Sequence, residues 1–291
     1  DQWFLDSHKL CEPIKNAIKK NKIVFYPNSW INTFKHWIDK IEPWCISRQI
    51  WWGHRIPVWY TNYGDIVVAK NEKLAKEKLI KGNYPKDVII SRRETDVLDT
   101  WFSSALWPFS TLGWPQKGTL LKNHYPSDVL VTGFDIIFFW VARMIMMGFK
   151  FMNKMPFKSI YIHPLVRDEK GEKMSKSRGN VIDPIKVIDL YGSDALRFTL
   201  ANLSTQGRDI KLSNKLVENS RNFVTKLWNT ARFSQFNKFK LNKNYNPYVN
   251  KLLINKWIIY KIGLTQRSVL AHLKVYKFNL IISDLYQFIW S

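Results

Sequence analysis

The stretch from residue 129 to residue 147 constrains the fold most, because it is the most apolar part of the sequence. Such a run either spans a membrane or lies in a protein core. Asp135 and Arg143 interrupt it, and Thr132-Gly133 is typical of a junction between a strand and a helix. We therefore expect no membrane span, but a strand, a glycine turn and a buried helix. That unit builds α/β folds with a doubly wound sheet, whose ligands bind at the carboxyl ends of strands.

The turn at Gly133 is followed by Asp135, which has two compatible interpretations. Thr132 and Asp135 have the spacing of a capping box at a helix start. A carboxylate at this position can also accept hydrogen bonds from the hydroxyl groups of a sugar. Ile136 and Trp140 follow one helical turn apart, so both can face an apolar pocket.

A polar segment at residues 169–180 comes directly after a predicted strand at residues 159–163 and its short continuation. It contains Lys173 and Lys176, with Ser175 between them, Ser177 behind them and glycines on both sides. Mobile ammonium groups of this kind can close on a polyphosphate as its negative charge grows. Composition alone favours a solvated basic loop, whereas the position after a sheet strand favours a phosphate-binding one.

Charge and cysteine content narrow the class of protein. Lys and Arg total 45 against 23 Asp and Glu, which gives a net charge of +22. This excess indicates a polyanionic partner such as nucleic acid, although an AT-rich genome also raises the lysine content. Cys11 and Cys45 are the two cysteines, too few for a disulfide scaffold or a cysteine-rich zinc site. We expect a reducing compartment and no protein-bound metal.

Tryptophan and arginine are concentrated between residues 44 and 59. Arg48, Trp52 and Arg55 suit a surface on which rings stack and guanidinium groups meet phosphate. An aromatic core with arginines reaching to solvent is an equally good interpretation. Further on, Asp99 can be the N-cap of a helix and Trp101 an ordinary core residue.

The remaining pattern predicts helices at residues 7–20 and 29–41, each opening with a serine that can act as N-cap, and a surface helix at 71–80. Helices are also predicted at 184–190, 193–203, 214–236, 251–275 and 279–290, with a Lys/Asn-rich linker at 237–250. The chain opens without a methionine and closes inside a helical pattern. We expect it to be an internal piece of a longer protein.

Five segments together carry a resemblance to a known family. The loop Lys173-Met174-Ser175-Lys176-Ser177 matches the KMSKS signature of class I aminoacyl-tRNA synthetases. The chain is similar to the valyl branch of that family in WCISRQIWWGH at 44–54, DVLDTWFSSALWP at 96–108, TGFDIIFFW at 132–140 and QGRDI at 206–210.

The resemblance implies a fold and a division into domains. Residues 1–212 are expected to form the second half of a Rossmann-type catalytic domain, which in the family is interrupted by an editing domain. Residues 213–291 are expected to form part of an α-helical anticodon-binding bundle. The family's His-x-Gly-His turn is absent from this sequence, so we expect that turn and the editing domain upstream. This piece alone is expected to be inactive.

The resemblance also implies roles for individual residues. Lys173 and Lys176 would be catalytic and would hold the pyrophosphate in the transition state. The ATP-binding set would be Gly133, Asp135, His163, Met174, Ser175, Lys176 and Ser177, and the valine pocket would contain Trp101, Ile136 and Trp140. Arg48, Trp52, Arg55 and Arg221 are candidates for tRNA contact. Pro164 departs from the small residue expected after His163, which leaves backbone contacts to adenine there in doubt.

The expected reaction converts valine and ATP to valyl-adenylate and pyrophosphate, and then transfers valine to the 3′ end of tRNA(Val). ATP with Mg²⁺ is the expected nucleotide substrate, and we expect a monomer in the cytoplasm or an organellar matrix. Two alternatives stay open: a noncatalytic RNA-binding relic of a synthetase, and an isoleucyl or leucyl relative.

Overall fold

The computed structural model describes residues 1–240, 242–249 and 251–290 as a mixed α/β protein. Strands in this part of the chain are β1 Phe4–Leu5, β2 Val24–Tyr26, β3 Trp44–Cys45, β4 Ser47–Arg48, β5 Val58–Thr61, β6 Ile66–Val68, β7 Ile90–Arg93, β8 Val97–Leu98, β9 Ser127–Thr132, β10 Phe157–Ile162, β11 Val166–Arg167 and β12 Ile210–Lys211.

The helices are α1 Ser7–Lys19, α2 Trp30–Asp39, α3 Glu72–Lys81, α4 Thr100–Ser104, α5 Trp107–Ser110, α6 Thr119–His124, α7 Ala142–Met152, α8 Pro184–Tyr191, α9 Ser193–Leu203, α10 Asn214–Phe236, α11 Leu253–Leu273 and α12 Phe278–Trp290. In the described residues no helix is both long enough and apolar enough to cross a bilayer.

The described chain forms two compact units. Unit 1 comprises Asp1–Val24, Trp30–Leu130 and Asp135–Ser159, and unit 2 comprises Phe25–Ser29, Val131–Phe134 and Ile160–Ser291. A division at 212/213 stays a prediction. The described part of the predicted linker at 237–250 is largely irregular, with a short 3₁₀ turn at Pro247–Val249. Residues 241, 250 and 291, which belong to the predicted bundle at 213–291, lie outside the described residues.

In unit 1, helix α1 buries Cys11, Ile14 and Ala17, which recur at helical spacing on one face, and packs against α7. Its N-cap is Asp6, whose side chain accepts a hydrogen bond from the backbone N–H of Lys9 at 3.3 Å. The prediction that Ser7 caps this helix is therefore wrong. Ser7 lies inside the first turn, where its hydroxyl is buried.

A small antiparallel sheet with the order β6–β5–β7 also belongs to unit 1. Helix α3 covers one face of it through Ala75 and Leu79, which pack with Trp59 and Val67. Asn71 is the N-cap of α3, since its side chain accepts from Leu74 N at 2.9 Å.

The predicted strand, glycine turn and helix around Gly133 form, but the helix begins irregularly. Strand β9 belongs to a sheet of order β2–β10–β9 and is followed by a 3₁₀ turn at Phe134–Ile136 and a π-helical turn at Ile137–Val141 before α7 starts. The Thr132 hydroxyl bonds to the Gly133 carbonyl at 3.4 Å instead of closing a capping box with Asp135. Ile136 and Trp140 therefore lie in a 3₁₀ turn and a π turn, respectively, instead of in the regular helix predicted for them.

In unit 2, strands β11 and β12 pair in parallel, with Val166 opposite Ile210 and Arg167 opposite Lys211. Helices α8, α9 and α10 bury an apolar cluster that includes Val187, Leu196 and Val217. The turn between α11 and α12 carries Tyr276, whose ring lies 4.7 Å from that of Tyr26 and 5.8 Å from that of Tyr161.

Candidate active site

The loop from Asp168 to Asn180 in unit 2 follows a strand that is held by several contacts. Strand β11 leads into it, and Asp209, just before β12, accepts a hydrogen bond from Leu165 N at 3.3 Å. The same carboxylate forms an ion pair with Arg167. Paired strands and a two-point carboxylate contact fix the direction in which the chain leaves the sheet.

Two glycines shape the loop. Gly171 (φ +86°) and Gly179 (φ +66°) adopt left-handed backbone conformations that other residues rarely take. Between them, Lys176–Arg178 forms a single 3₁₀ turn, and the hydroxyls of Ser175 and Ser177 lie 3.2 Å apart. The predicted loop is thus a folded turn with defined internal contacts.

Lys173 and Lys176 are both exposed on this loop. Glu172 pairs with Arg178 at 3.6 Å, and within the described residues no carboxylate lies at ion-pair distance from either lysine ammonium. Both ammonium groups are therefore available to an anion in solvent. Met174 and Ser175, at the centre of the loop, are half-buried, whereas the two lysines are exposed to solvent.

His163 and Gly133 are neighbours in unit 2. The backbone N–H of His163 donates to the carbonyl of Thr132 at 2.9 Å, next to the buried Gly133. The His163 ring Nδ1 lies 3.0 Å from the carbonyl oxygen of Pro164. Pro164 has no N–H, so the backbone at this position can accept a hydrogen bond but cannot donate one.

The predicted pocket residues Trp101 and Trp140 belong to α4 and to the π turn, two elements of unit 1 that contact each other. Trp140 donates its indole N–H to the carbonyl of Ser104, in α4, at 3.0 Å. Trp101 stacks on Phe139, the neighbour of Trp140, with ring centroids 5.9 Å apart. The two tryptophans are half-buried, as is Ile136, so each keeps a solvent-accessible part.

Asp99 has a larger role than capping α4. Its side chain accepts from Trp101 N at 3.4 Å, as an N-cap does, and also from the indole N–H of Trp44 at 2.9 Å. The same carboxylate pairs with Arg48 at 3.2 Å and with Arg143 at 3.5 Å. Burial lowers the pKa of Arg143, and Asp99 opposes this shift.

The sequence did not predict these contacts of Asp99, because the residues that make them come from three distant segments. The only signal was Arg143 itself, a charge inside the most apolar stretch of the chain. The Arg143 guanidinium lies 4.0 Å from the ring centre of Trp44, so the arginine is held by a ring as well as by a carboxylate.

The four candidates for tRNA contact differ in whether their side chains already bind other groups of the protein. Arg48 donates to the carbonyls of Cys45 and Ser47 at 3.0 and 2.8 Å in addition to pairing with Asp99. Arg55 donates to the Glu94 carbonyl at 2.6 Å, and the Arg221 guanidinium lies 5.6 Å from the Tyr191 ring centre. Trp52 is 89% exposed. Of the four side chains, the indole of Trp52 is the most open to a partner.

The described residues contain no group of three or more His, Cys, Asp or Glu side chains arranged to hold a metal ion.

Comparison with known proteins assigns the family. The sequence model of the family described as tRNA synthetases class I (I, L, M and V) matches residues 1–213. The chain belongs to the class I tRNA synthetases. The α/β framework that continues into helices agrees with this membership.

Relatives of this class I synthetase chain include the valine–tRNA ligases of Zymomonas mobilis subsp. mobilis and Bartonella henselae. Each is 50% identical over 291 residues, which is 100% of this chain and 32% of the relative. The chain thus spans about a third of the length of the curated relatives it matches.

Solved structures show that this class I synthetase chain shares its fold with other members. The ternary complex of Agrobacterium radiobacter K84 agnB2 LeuRS with tRNA and LeuAMS has a TM-score of 0.71 at 21% identity, covering 86% of this chain and 35% of that one. Mycobacterium tuberculosis methionyl-tRNA synthetase in complex with methionyl-adenylate has a TM-score of 0.72 at 19% identity, covering 99% and 51%.

Proposed function

We propose that this chain is the part of a valine–tRNA ligase that supplies the lysine–serine loop to the activation of valine. The observation that carries the proposal is the folded loop with Lys173 and Lys176 exposed and, among the described residues, without an ion-pair partner. Relatives that are 50% identical over the whole chain and named valine–tRNA ligase support the choice of amino acid.

The chemistry proposed for the loop is charge stabilisation. A carboxylate oxygen of valine attacks the α-phosphorus of ATP, the bond to the bridging oxygen breaks, and pyrophosphate leaves. Negative charge builds on the departing group, and the ammonium groups of Lys173 and Lys176 neutralise it as they close on it. Ser175 and Ser177 support the turn, while Met174 lies near the adenine.

The other proposed roles concern the nucleotide and the amino acid. Gly133 and Asp135 hold the ribose, and His163 lies beside the nucleotide. Mg²⁺ arrives with ATP as part of the substrate, since the loop offers cationic groups rather than metal ligands.

Trp101, Ile136 and Trp140 would bound the valine side chain. Bulky rings exclude larger side chains but reject an isosteric hydroxyl poorly, by only about a hundredfold. Threonine is therefore the competitor that such a pocket would discriminate least well.

Transfer of valine to tRNA follows activation. A ribose hydroxyl of the terminal adenosine attacks the carbonyl carbon of valyl-adenylate, and AMP leaves. Trp52 is the best of the four tRNA candidates, because its ring is exposed and can stack on a base, whereas Arg48, Arg55 and Arg221 contact neighbouring groups of the protein. We propose the action on tRNA(Val) for the complete protein.

The test is Lys176→Ala in the full-length protein. We expect valine-dependent ATP–pyrophosphate exchange to fall by at least about tenfold, because a charge that acts in the transition state is lost. The KM for valine should stay nearly unchanged. Lys186→Ala is the matched control, since Lys186 is an exposed lysine on α8 outside the loop, and it should exchange at the wild-type rate.

The outcomes separate the alternatives. Wild-type protein that shows no exchange with any amino acid would indicate a noncatalytic RNA-binding relic. Exchange with isoleucine or leucine in preference to valine would indicate the related specificities. An unchanged rate in Lys176→Ala would remove the role given to the loop.

A further inference from the structure

The loop that carries Lys173 and Lys176 is closed at its base by one pair of side chains. Asp168 is the residue after β11, and Asn180 is the last residue of the loop. The side-chain amide of Asn180 donates to the Asp168 carboxylate at 2.8 Å. This bond joins the first and the last residue of the loop.

Asn180 also reaches into the middle of the loop. Its amide oxygen accepts from the backbone N–H of Ser175 at 2.9 Å, and its amide nitrogen lies 3.3 Å from the carbonyl of Lys173. One half-buried side chain therefore holds the residue before and the residue after Met174. These bonds fix the backbone from which Lys173 projects and the residue preceding Lys176.

Asp168 organises the first half of the loop. Its carboxylate accepts from the backbone N–H of Glu172 at 2.7 Å, and its backbone N–H donates to the Glu172 carbonyl at 3.1 Å. The hydrogen bond from Asn180, followed by the one from Glu172 N, lowers the pKa of Asp168. The carboxylate is thus held in its charged form, in which it is the stronger acceptor.

We propose that Asn180 and Asp168 are positioning residues that hold Lys173 and Lys176 in the arrangement able to bind the departing pyrophosphate. The inference rests on the proposed function, because it assigns a purpose to the loop geometry in that reaction. The clasp, meaning the Asp168–Asn180 pair with its bonds to Ser175 N, Lys173 O and Glu172 N, acts through the lysines and does not itself touch the substrate.

The reason such a clasp affects rate is entropy. The loop consists mostly of exposed polar residues with two left-handed glycines, and little apolar burial keeps it in one conformation. Two long lysine side chains on a disordered backbone would have to be ordered together in the transition state. Hydrogen bonds that order the backbone beforehand remove part of that cost.

The main test is Asn180→Ala in the full-length protein. We expect kcat for valine-dependent ATP–pyrophosphate exchange to fall by about tenfold or more with the KM for valine unchanged, because only the orientation of the lysines is altered. Asn62→Ala is the matched control. Asn62 also accepts from one backbone N–H, of Ile89, and donates to one backbone carbonyl, of Asp87, but it lies beside the β5–β7 pair.

A swapped pair provides a readout that general loss of structure would not give. Asn180→Asp alone opposes two carboxylates and should be at least as slow as Asn180→Ala. Combining it with Asp168→Asn restores an amide-to-carboxylate bond of reversed direction. The double variant should recover a several-fold part of the lost rate.

Trypsin reports on the same clasp without catalysis, because it cleaves within the loop after Lys170, Lys173, Lys176 and Arg178. Cleavage in the loop should be several-fold faster in Asn180→Ala and unchanged in Asn62→Ala. Equal cleavage and an equal exchange rate in wild type and Asn180→Ala would overturn the inference, as would a swapped pair no better than Asn180→Asp. If wild-type protein exchanges with no amino acid, the proposed function fails instead.

Discussion

At the scale of single residues, the buried carboxylates show which contacts of a side chain can be predicted from the sequence. Asp99 was predicted as the N-cap of a helix, and it is a cap that also binds Trp44, Arg48 and Arg143. Capping depends on neighbours along the chain and can be predicted. The other three partners come from segments that only the folded chain brings together.

Glu94 provides a residue-scale prediction on pH. Burial works to raise its pKa, but hydrogen bonds from the Tyr60 hydroxyl (2.6 Å), the Trp3 indole (2.8 Å) and two backbone N–H groups lower the pKa to about 2, from its ordinary value of 4.5. A lowered folded-state pKa means that Glu94 contributes stability above pH 4.5, and that this contribution is lost as the pH falls towards 2.

We therefore expect Glu94→Gln to be less stable than wild type at neutral pH and to lose less of its unfolding free energy between pH 4.5 and 2. Urea unfolding at a series of pH values measures this difference. Glu72→Gln is the control, because Glu72 is exposed and pairs with Lys76 one turn away on α3. A Glu94→Gln curve parallel to that of wild type would contradict the assignment.

At the scale of elements, regular helices were predicted well and irregular ones were not. Helices α9 and α10 have the predicted bounds, because their apolar spacing and flanking residues are local signals. The segment after Gly133 was predicted as a regular helix, yet it passes through 3₁₀ and π turns. Packing of Trp140 and Phe139 against α4 accompanies that change, and spacing alone does not reveal it.

Gly192 provides a prediction at this scale, because it ends α8 and begins α9. Its backbone has φ +89° and ψ 150°, and an added Cβ would meet nothing within 4 Å. The cost of Gly192→Ala is therefore conformational alone, and we expect a loss of about 1–3 kcal/mol in unfolding free energy. Gly118→Ala is the control, with open space and a negative φ of −110°. Similar thermal unfolding of the two variants would refute this account.

At the scale of the whole molecule, the net charge of +22 bears on the proposed partner. Binding of a polyanion by lysines and arginines releases counterions and weakens as salt is added. If the full-length protein binds tRNA through this charge, its Kd should rise at least about tenfold between about 50 and 200 mM salt. Filter binding or fluorescence titration measures the change.

Valine-dependent ATP–pyrophosphate exchange in the absence of tRNA is the internal control for that prediction. It involves a small substrate and few phosphates, so its salt dependence should be much weaker over the same range. Equal sensitivity of the two measurements would mean that the excess of basic residues does not serve RNA binding.

The sequence by itself determined the α/β class, the family and the position of the lysine–serine loop after a sheet strand. These depend on local apolar patterns and on short motifs such as Lys173–Ser177, which can be read along the chain. Only the tertiary structure decided how Asn180 closes that loop on Asp168, and how Arg48 and Arg143 share Asp99. A hydrogen bond or ion pair depends on distances of a few ångströms between segments, and these distances exist only once the chain has packed.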